Sequence, residues 1–443
     1  MVKVRFAPSP TGFLHIGNFR TALVNFLFAR KEKGHFMLRI DDTDHERSSL
    51  EFEKAIIEDL SWMNFKWDSL EKQSNRLKRY DEALETLLDK KRAYACYETA
   101  EELSLKRKAQ LSSGKPPVYD RSSLRLSDSD VADLKSKGKK PHYRFLLDHS
   151  EVIWNDLIKG GSKYHMSSLS DPVILREDGR VIYTLASVVD DIDFDITHIL
   201  RGEDHMTNSA AQIQLFEALG SAAPNLGHLS LLTDISGAGL SKRLGSLSLK
   251  DLRNEGIHPM AISSLLSKVG TSDPVEIKKE IETIILYFDI NKFGKSKSKF
   301  DKNELSILNS KIYQLIDFEE INEDLKKMNI SITKEFWNLI RGNIALLKNV
   351  KDWWDICFGT IHSIIENQDF LDTALEALPI DQFNEKTWST WMQKLSQKTG
   401  KKGKELYMPL RLCLTGQNKG PEMADLILMM GRDKVIKRLS NQV

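Results

Sequence analysis

Residues 2–40 switch between two periodicities, and that switch restricts the fold more than any other feature of the chain. Val2, Val4 and Phe6 alternate with Lys3 and Arg5, a strand pattern that Pro8 and Pro10 stop. From Asn18 to Lys33 the apolar residues Ala22, Leu23, Phe26, Leu27 and Ala29 recur at helical spacing, and Gly34 ends the run. Phe36–Ile40, in HFMLRIDDTD, predicts a second strand running into an acidic turn. Strand, helix, strand at this spacing is a βαβ unit, hence a parallel sheet whose ligand edge lies at the strand C-termini.

Helical patterns follow at 50–63 and 77–91. Between about 95 and 185, loop-rich stretches such as SSGKPPVYDRSS and KSKGKKPHYRF, with the alternating SEVIWNDLI, predict an α+β insertion. The α/β pattern returns from Ile196: DITHILRGEDHM reads as a strand and polar loop, Thr207–Leu219 as a helix, and HLSLLTD as a strand. Beyond 250 the periodicity is almost wholly helical, in segments such as 258–269, 302–316, 334–348 and 421–439. The expected architecture is a parallel-sheet domain split by an insertion, then a long helical tail.

Composition narrows the function classes. The 443 residues, 41% hydrophobic and 29% charged, describe an ordinary globular chain, with a length that suggests about three domains. A formal net charge of +1 supplies no global field for a polyanion, so any nucleic-acid site must be a local patch. The three cysteines, Cys96, Cys357 and Cys413, are far apart and odd in number, which argues against a disulfide framework and for a reducing compartment. The N-terminus has no apolar leader and the chain no long apolar run, so a cytoplasmic location is expected.

Two stretches carry candidate chemistry. In APSPTGFLHIGNFRTAL (7–23), His15 and Gly17 stand where a loop becomes a helix. A helix N-terminus presents unpaired N–H groups and about half a positive charge, which suits a phosphate. Gly17 lets a ligand approach the backbone and His15 adds a ring N–H donor; a glycine turn with a packed histidine would read the same. In GAGLSKRLGS (237–246), Ser241, Lys242 and Arg243 lie on a glycine-flanked loop. Such a lysine can close over a triphosphate and neutralise charge as the α-phosphorus is attacked, though a solvated basic loop has the same composition.

Together and in this order, His-Ile-Gly and Leu-Ser-Lys-Arg resemble the HIGH and KMSKS motifs of class I aminoacyl-tRNA synthetases. RFAPSPTGFLHIGNFRTAL, LRIDDTD, YTLASVVDD, HILRGEDH and YMPLRLCLTGQNKGPEMADLILMMG are similar, in the same order, to segments of bacterial glutamyl-tRNA synthetases. The resemblance spans nearly the whole chain. It implies a Rossmann-type α/β catalytic domain split by an α+β insertion and followed by an all-α anticodon-binding region. The implied boundaries are 1–95 and 183–235 for the catalytic halves and 96–182 for a connective insertion that binds the acceptor stem. A KMSKS-loop and stem-contact domain would cover 236–310, and a helical anticodon-binding region in two subdomains 311–443.

The implied activity is ATP-dependent ligation of L-glutamate to tRNA(Glu) through a glutamyl-adenylate, with Mg²⁺ accompanying ATP, in a cytoplasmic monomer that activates glutamate once tRNA is present. Charging of tRNA(Gln) with glutamate stays open. By resemblance, Arg5 pairs with the substrate's side-chain carboxylate, Ala7 and Ser9 lie on the following loop, and Asp41 receives the α-amino group. Tyr183, Ser187 and Arg201 complete the glutamate pocket. His15, Gly17, Asp204, Ser241, Lys242 and Arg243 bind ATP, with His15, Gly17 and Lys242 acting in catalysis. A guanidinium forks a carboxylate but not an amide, which favours glutamate over glutamine. The bland alternatives are a surface salt bridge for Arg5 and Arg201 and core packing for Tyr183.

The chain departs from the family pattern at Asn18, where the motif has His; at Asp41, where Glu is usual; at Ser187, where Asn is frequent; and in the wording around Ser241. Some relatives hold zinc in the insertion on a Cys-x-Cys pair. Here Glu98 stands at the second place and only Cys96 remains, with His142 and His149 scattered, so no structural zinc is expected. Candidate RNA contacts are Lys135–Lys140, Lys292–Phe300 and Lys398–Lys404, each equally readable as a solvated loop. Trp353, Trp354, Trp388 and Trp391 read as core more readily than as stacking platforms. Rival readings are a truncated relative that glutamylates a tRNA base, which lacks the anticodon domain; a glutaminyl-tRNA synthetase, which ends in β-barrels; and a non-catalytic RNA-binding paralogue.

Overall fold

The computed structural model describes residues 1–238 and 247–441, so Ser241, Lys242 and Arg243 lie outside the described residues. Two compact units are present: residues 1–252, 263–276 and 280–301 in the first, and 253–262, 277–279 and 302–443 in the second.

In the first unit, β1 (Lys3–Phe6), β2 (His35–Ile40) and β3 (Ser69–Lys72) form a parallel sheet in that order, with Lys3 opposite His35 and Met37 opposite Ser69. Helix α1 (Ile16–Lys31) makes the crossover from β1 to β2, burying Phe19, Leu23, Phe26 and Leu27. Phe26 stacks on Phe65 with ring centroids 4.4 Å apart. Helices α2 (Leu50–Trp62) and α3 (Leu77–Asp89) follow, close to their predicted spans. The β3 sequence, SLEK, escapes prediction because it is an edge strand with no apolar alternation.

The insertion is α+β, as its texture predicts. Strand β4 (Ala93–Cys96) pairs antiparallel with β5 (His142–Phe145), while β6 (Glu151–Asp156) and β7 (Gly160–His165) form a hairpin and β8 (Val173–Leu175) joins β5. Its helices α4 (Ala100–Ser112) and α5 (Asp128–Ser136) bury no residue and start on capping boxes, Thr99 with Glu102 and Ser127 with Asp130. Phe145, Val152 and Met166 share one core with α3, α6 (Tyr183–Asp193) and α7 (Met206–Ala218).

Strand β9 (His198–Gly202) pairs parallel with β10 (Asn225–Leu229) and runs beside β1, where the Thr197 N–H donates to the Lys3 carbonyl at 2.9 Å. HLSLLTD is thus not one strand: it ends β10 and then supplies β11 (Leu232–Thr233), which pairs with β12 (Ser298–Lys299). At the C-terminal sheet edge the loops are laced together. Asp41 donates its N–H to the Pro8 carbonyl and Ser49 to the Pro10 carbonyl, both at 3.0 Å.

The second unit is helical, from Lys302–Leu315 to Arg432–Leu439. Two predicted helices are broken. The 334–348 pattern stops at Ile340, where Arg341–Asn343 makes a single tight turn around Gly342, a poor helix former. The 421–439 pattern divides at Gly431, whose φ of +76° interrupts Met423–Met430 before Arg432. Trp337 and Trp391 are buried and donate their indole N–H to the carbonyls of Ile316 (3.0 Å) and Ala374 (2.8 Å). Trp353 is also buried, Trp388 half-buried and Trp354 exposed, so the four tryptophans that the sequence groups do not share one environment.

Candidate active site

At the start of α1, His15 is the N-cap, and its Nδ1 accepts from the backbone N–H of Gly17 (3.1 Å) and of Asn18 (3.3 Å). That satisfies two of the helix's orphan donors and assigns the ring proton to Nε2. Partial desolvation lowers the His15 pKa, which favours the neutral ring. The two readings of His15 therefore coexist: it shapes the turn with one nitrogen and offers a donor with the other. A Cβ on Gly17 would sit 3.1 Å from His15 Cε1 and 3.2 Å from Nδ1, so the glycine is what lets the ring lie back over the helix.

After residues 239–246 the described chain resumes at Leu247, beside this turn. Leu247 accepts from the Ile16 N–H at 3.1 Å, Leu249 donates to the Leu14 carbonyl at 2.9 Å, and His15 and Ser248 face each other across an antiparallel bridge. On its other side, Ala238 closes a turn onto Asp234 just after β11. Both flanks of the loop are thus part of the first unit, and one is bonded directly to the His-Ile-Gly turn.

Beneath the loops lies a buried cluster of balanced charge. Arg5, on β1, forks Asp191 through Nε (3.0 Å) and Nη2 (3.2 Å). Arg39, on β2 and fully buried, binds Asp41 through Nε (2.7 Å) and Nη2 (3.1 Å) and Asp191 through Nη1 (2.8 Å). Asp190 accepts from Arg76 Nε (2.7 Å), Gln73 Nε2 (2.8 Å) and the Tyr80 hydroxyl (3.0 Å). Such a network is costly to desolvate and costlier to leave half-made. Burial pushes the Asp41 carboxyl up to about 6 against the pull of Arg39. Ala7 is half-buried and Ser9 exposed on the loop above.

Arg201, at the end of β9, is held from several sides. Its Nη1 donates to the Tyr183 hydroxyl (2.9 Å), and its Nη2 donates to Ser209 Oγ (2.6 Å) and Gln212 Oε1 (2.7 Å). Gln212 Nε2 in turn donates to Ser187 Oγ (2.8 Å), and the Ser187 hydroxyl donates to the Tyr183 carbonyl (2.7 Å). Tyr183, Ser187 and Arg201, apart in sequence, thus form one hydrogen-bonded group. Buried Arg201 Nε has no partner among the described residues. Asp204, in the single turn after β9, is more exposed, with Oδ2 3.8 Å from His205 Nε2. Sequence reasoning missed Asp191, Arg39, Ser209 and Gln212; the one available signal is the polar pair Ser209 and Gln212 at i, i+3 among the alanines, leucine and phenylalanine that α7 also buries.

A family model for the catalytic domain of class I tRNA synthetases (E and Q) matches residues 1–307, and one for an anticodon binding domain matches 362–443. Glutamate–tRNA ligase 1 of Maricaulis maris is 48% identical over 443 residues, covering all of both chains. The chain belongs to the glutamate–tRNA ligase family of class I tRNA synthetases. Glutamate–tRNA ligase 1 of Rickettsia felis is likewise 48% identical, over 99% of this chain and 98% of its own. A glutamate tRNA ligase of Elizabethkingia meningosepticum, solved in complex with its amino acid, superposes with a TM-score of 0.87 at 28% identity, covering 99% of this chain and 98% of that one. Membership carries the use of ATP with it.

In this ligase-family chain a polar knot surrounds Cys96 and Glu98 of the insertion. Buried Cys96 stands opposite His142 in the β4–β5 register. Glu98 accepts from the hydroxyls of Tyr119 (2.8 Å), Ser122 (2.5 Å) and Ser123 (2.7 Å). Burial pushes Glu98 up, but those hydroxyl bonds outweigh it and bring the carboxyl down to about 2. Among the described residues no three His, Cys, Asp or Glu side chains are placed to share a metal ion, and no helix is long and apolar enough to cross a membrane.

The basic patches divide. Lys135–Lys140 is exposed, with Lys137 paired to Asp133 at 2.6 Å. In Lys292–Phe300 the aromatics Phe293 and Phe300 are buried, so they pack and are closed to base stacking. In Lys398–Lys404, Lys398 pairs with Glu376 at 2.9 Å and Lys401 lies over the Phe370 ring.

Proposed function

We propose that the chain ligates L-glutamate to the 3′ end of tRNA(Glu) in two steps, through a glutamyl-adenylate, releasing pyrophosphate and then AMP. The glutamate α-carboxylate attacks the α-phosphorus of ATP; the terminal ribose hydroxyl of tRNA then attacks the acyl carbon. The first step needs positioning and charge neutralisation and no covalent nucleophile. Arg201 and Arg5 receive the side-chain carboxylate, which selects glutamate over glutamine. Asp41 takes the α-ammonium, and Ala7, Ser9, Tyr183 and Ser187 shape the pocket. His15, through Nε2–H, with Gly17 and Asp204, holds ATP, whose phosphates arrive with Mg²⁺. Ser241, Lys242 and Arg243 close over the triphosphate.

In the same reading, residues 96–182 contact the acceptor stem and 311–443 the anticodon end, and the protein works as a cytoplasmic monomer. The observation that supports it best is the backbone pairing of Leu14–Ile16 with Leu247–Leu249. It ties the flank of the Lys242 segment to the histidine turn, and five Cα-to-Cα steps, at most about 18 Å, separate Lys242 from Leu247. Lys242→Ala is the test. Adenylate formation, followed by ATP–pyrophosphate exchange with tRNA present, slows about 10- to 1,000-fold if this charge meets the transition state. Unchanged kinetics would remove Lys242 from the mechanism.

A further inference from the structure

We propose that His228, oriented by Asp156, is a positioning residue for glutamate binding: through the Ser209 hydroxyl it fixes the Arg201 guanidinium. The inference rests on the reading of Arg201 given above.

The chain of contacts is continuous and buried. Asp156 closes β6 in the insertion, His228 lies on β10, Ser209 on α7 and Arg201 on β9; all four are at most 5% exposed. Asp156 Oδ1 accepts from the backbone N–H of Ile158 (3.0 Å), Lys159 (2.9 Å) and His228 (3.1 Å). Its Oδ2 accepts from the Trp154 indole at 3.3 Å and meets His228 Nδ1 in a short hydrogen bond. A carboxylate surrounded by donors acts as acceptor only, so His228 carries a proton on Nδ1. Its Nε2 then lies 2.7 Å from Ser209 Oγ, and that oxygen accepts from Arg201 Nη2 at 2.6 Å.

Asp, His and Ser in this order would suggest a hydrolase nucleophile. The surroundings exclude that use. Ser209 Oγ already accepts from a guanidinium and is only 1% exposed as a residue, so an acyl carbon has no approach. What the relay does instead is hold one side of Arg201. Ser209 and Gln212 occupy both hydrogens of Nη2 and Tyr183 takes one of Nη1, while buried Nε–H has no partner among the described residues. A guanidinium whose Nη2 is held by two partners cannot turn in its plane, so the Nη1 hydrogen left over keeps one orientation, which lowers the ordering cost of binding a carboxylate oxygen. A loosened Ser209 lets the plane rotate, and the effect falls on glutamate rather than ATP.

ATP–pyrophosphate exchange with tRNA present, measured on Arg201→Ala, His228→Phe, Ser209→Ala and the double variant Arg201→Ala/His228→Phe, tests this. His228→Phe keeps ring volume and removes both nitrogens. Each relay variant is expected to raise the glutamate KM about 10-fold or more, the loss typical of one charge-assisted hydrogen bond, with the ATP KM within about twofold of wild type. The double variant is expected to be no worse than Arg201→Ala alone, since His228 acts through that guanidinium. A wild-type glutamate KM for His228→Phe beside a raised one for Arg201→Ala overturns the relay and leaves the Arg201 reading standing. Multiplying losses in the double variant, or equal losses for both substrates, also overturn it, because they describe a general structural role. An unchanged glutamate KM in Arg201→Ala overturns the Arg201 reading itself. Should His228→Phe fail to fold, Ser209→Ala decides by the same KM comparison.

Discussion

Arg5 and Asp191 meet in a two-bond fork, Nε to Oδ1 at 3.0 Å and Nη2 to Oδ2 at 3.2 Å, with both side chains almost fully buried. The carboxylate that Arg5 grips in this structure belongs to the protein. Asp191 is also held by Arg39, which in turn holds Asp41, so a substrate carboxylate at Arg5 joins an existing network.

Arg5→Ala is therefore expected to do two things. Glutamate KM rises by about 10-fold or more while the ATP KM changes little, as loss of a guanidinium–carboxylate contact implies. Urea denaturation shows a loss of about 3–5 kcal/mol, because the buried cluster around Asp191 is left with one uncompensated carboxylate charge. The Arg5→Ala/Asp191→Ala double variant recovers part of that stability. A single variant as stable as wild type would mean that the fork is not what holds Asp191.

Gly17→Ala tests the geometry of the histidine turn. The added methyl presses on the His15 ring, which must give by a few tenths of an ångström and so loosens its hold on the α1 N-terminus. The weakened cap and the helix preference for Ala over Gly oppose each other, so thermal stability changes by no more than about 1 kcal/mol. Displacement of the Nε2 donor lowers kcat of ATP–pyrophosphate exchange by about 10-fold or more. A variant with wild-type kcat would show that ring position is unimportant to the reaction.

Asp41 gives the site a pH limit. Its carboxyl, raised by burial to about 6, is charged at neutral pH and neutral below that value. Because the ionised form is the partner of an ammonium group, glutamate KM is expected to rise as pH falls through about 6 and to level off above it. Asp41→Asn should give a high KM without that inflection. An inflection that survives in Asp41→Asn would assign it to another group.

Glu98 is the stability counterpart. Its carboxyl is depressed to about 2, below the unfolded value of 4.5, so it stabilises the fold fully above 4.5 and loses that contribution as pH falls toward 2. Glu98→Gln should lower the melting temperature of the protein at neutral pH, and the gap to wild type should narrow below about pH 4.5. A gap that does not depend on pH would reduce Glu98 to a packing role.

The sequence made some of this legible and hid the rest for physical reasons. The βαβ unit was readable because β1 alternates apolar and charged residues, α1 repeats apolar residues at helical spacing and β2 is a short, mostly apolar run, whereas β3, an edge strand spelled SLEK, has none of these. The helices within 334–348 and 421–439 were readable as apolar faces, but their breaks at Arg341–Asn343 and Gly431 are backbone events that periodicity does not record. Arg5, Tyr183, Ser187 and Arg201 could be named from resemblance to a family. Their partners Asp191, Ser209, Gln212 and His228 could not, since those hydrogen bonds join residues from separate elements that only the fold brings within 3.2 Å.

The most direct test of the whole account is charging itself. Purified protein, ATP, Mg²⁺ and labelled L-glutamate are combined with tRNA(Glu) or tRNA(Gln), and label attached to RNA is counted alongside released AMP and pyrophosphate. The account predicts glutamylated tRNA(Glu), with AMP formed in step with it and labelled glutamine failing to substitute. Full incorporation of glutamine, or no incorporation of glutamate by a folded protein, would contradict it.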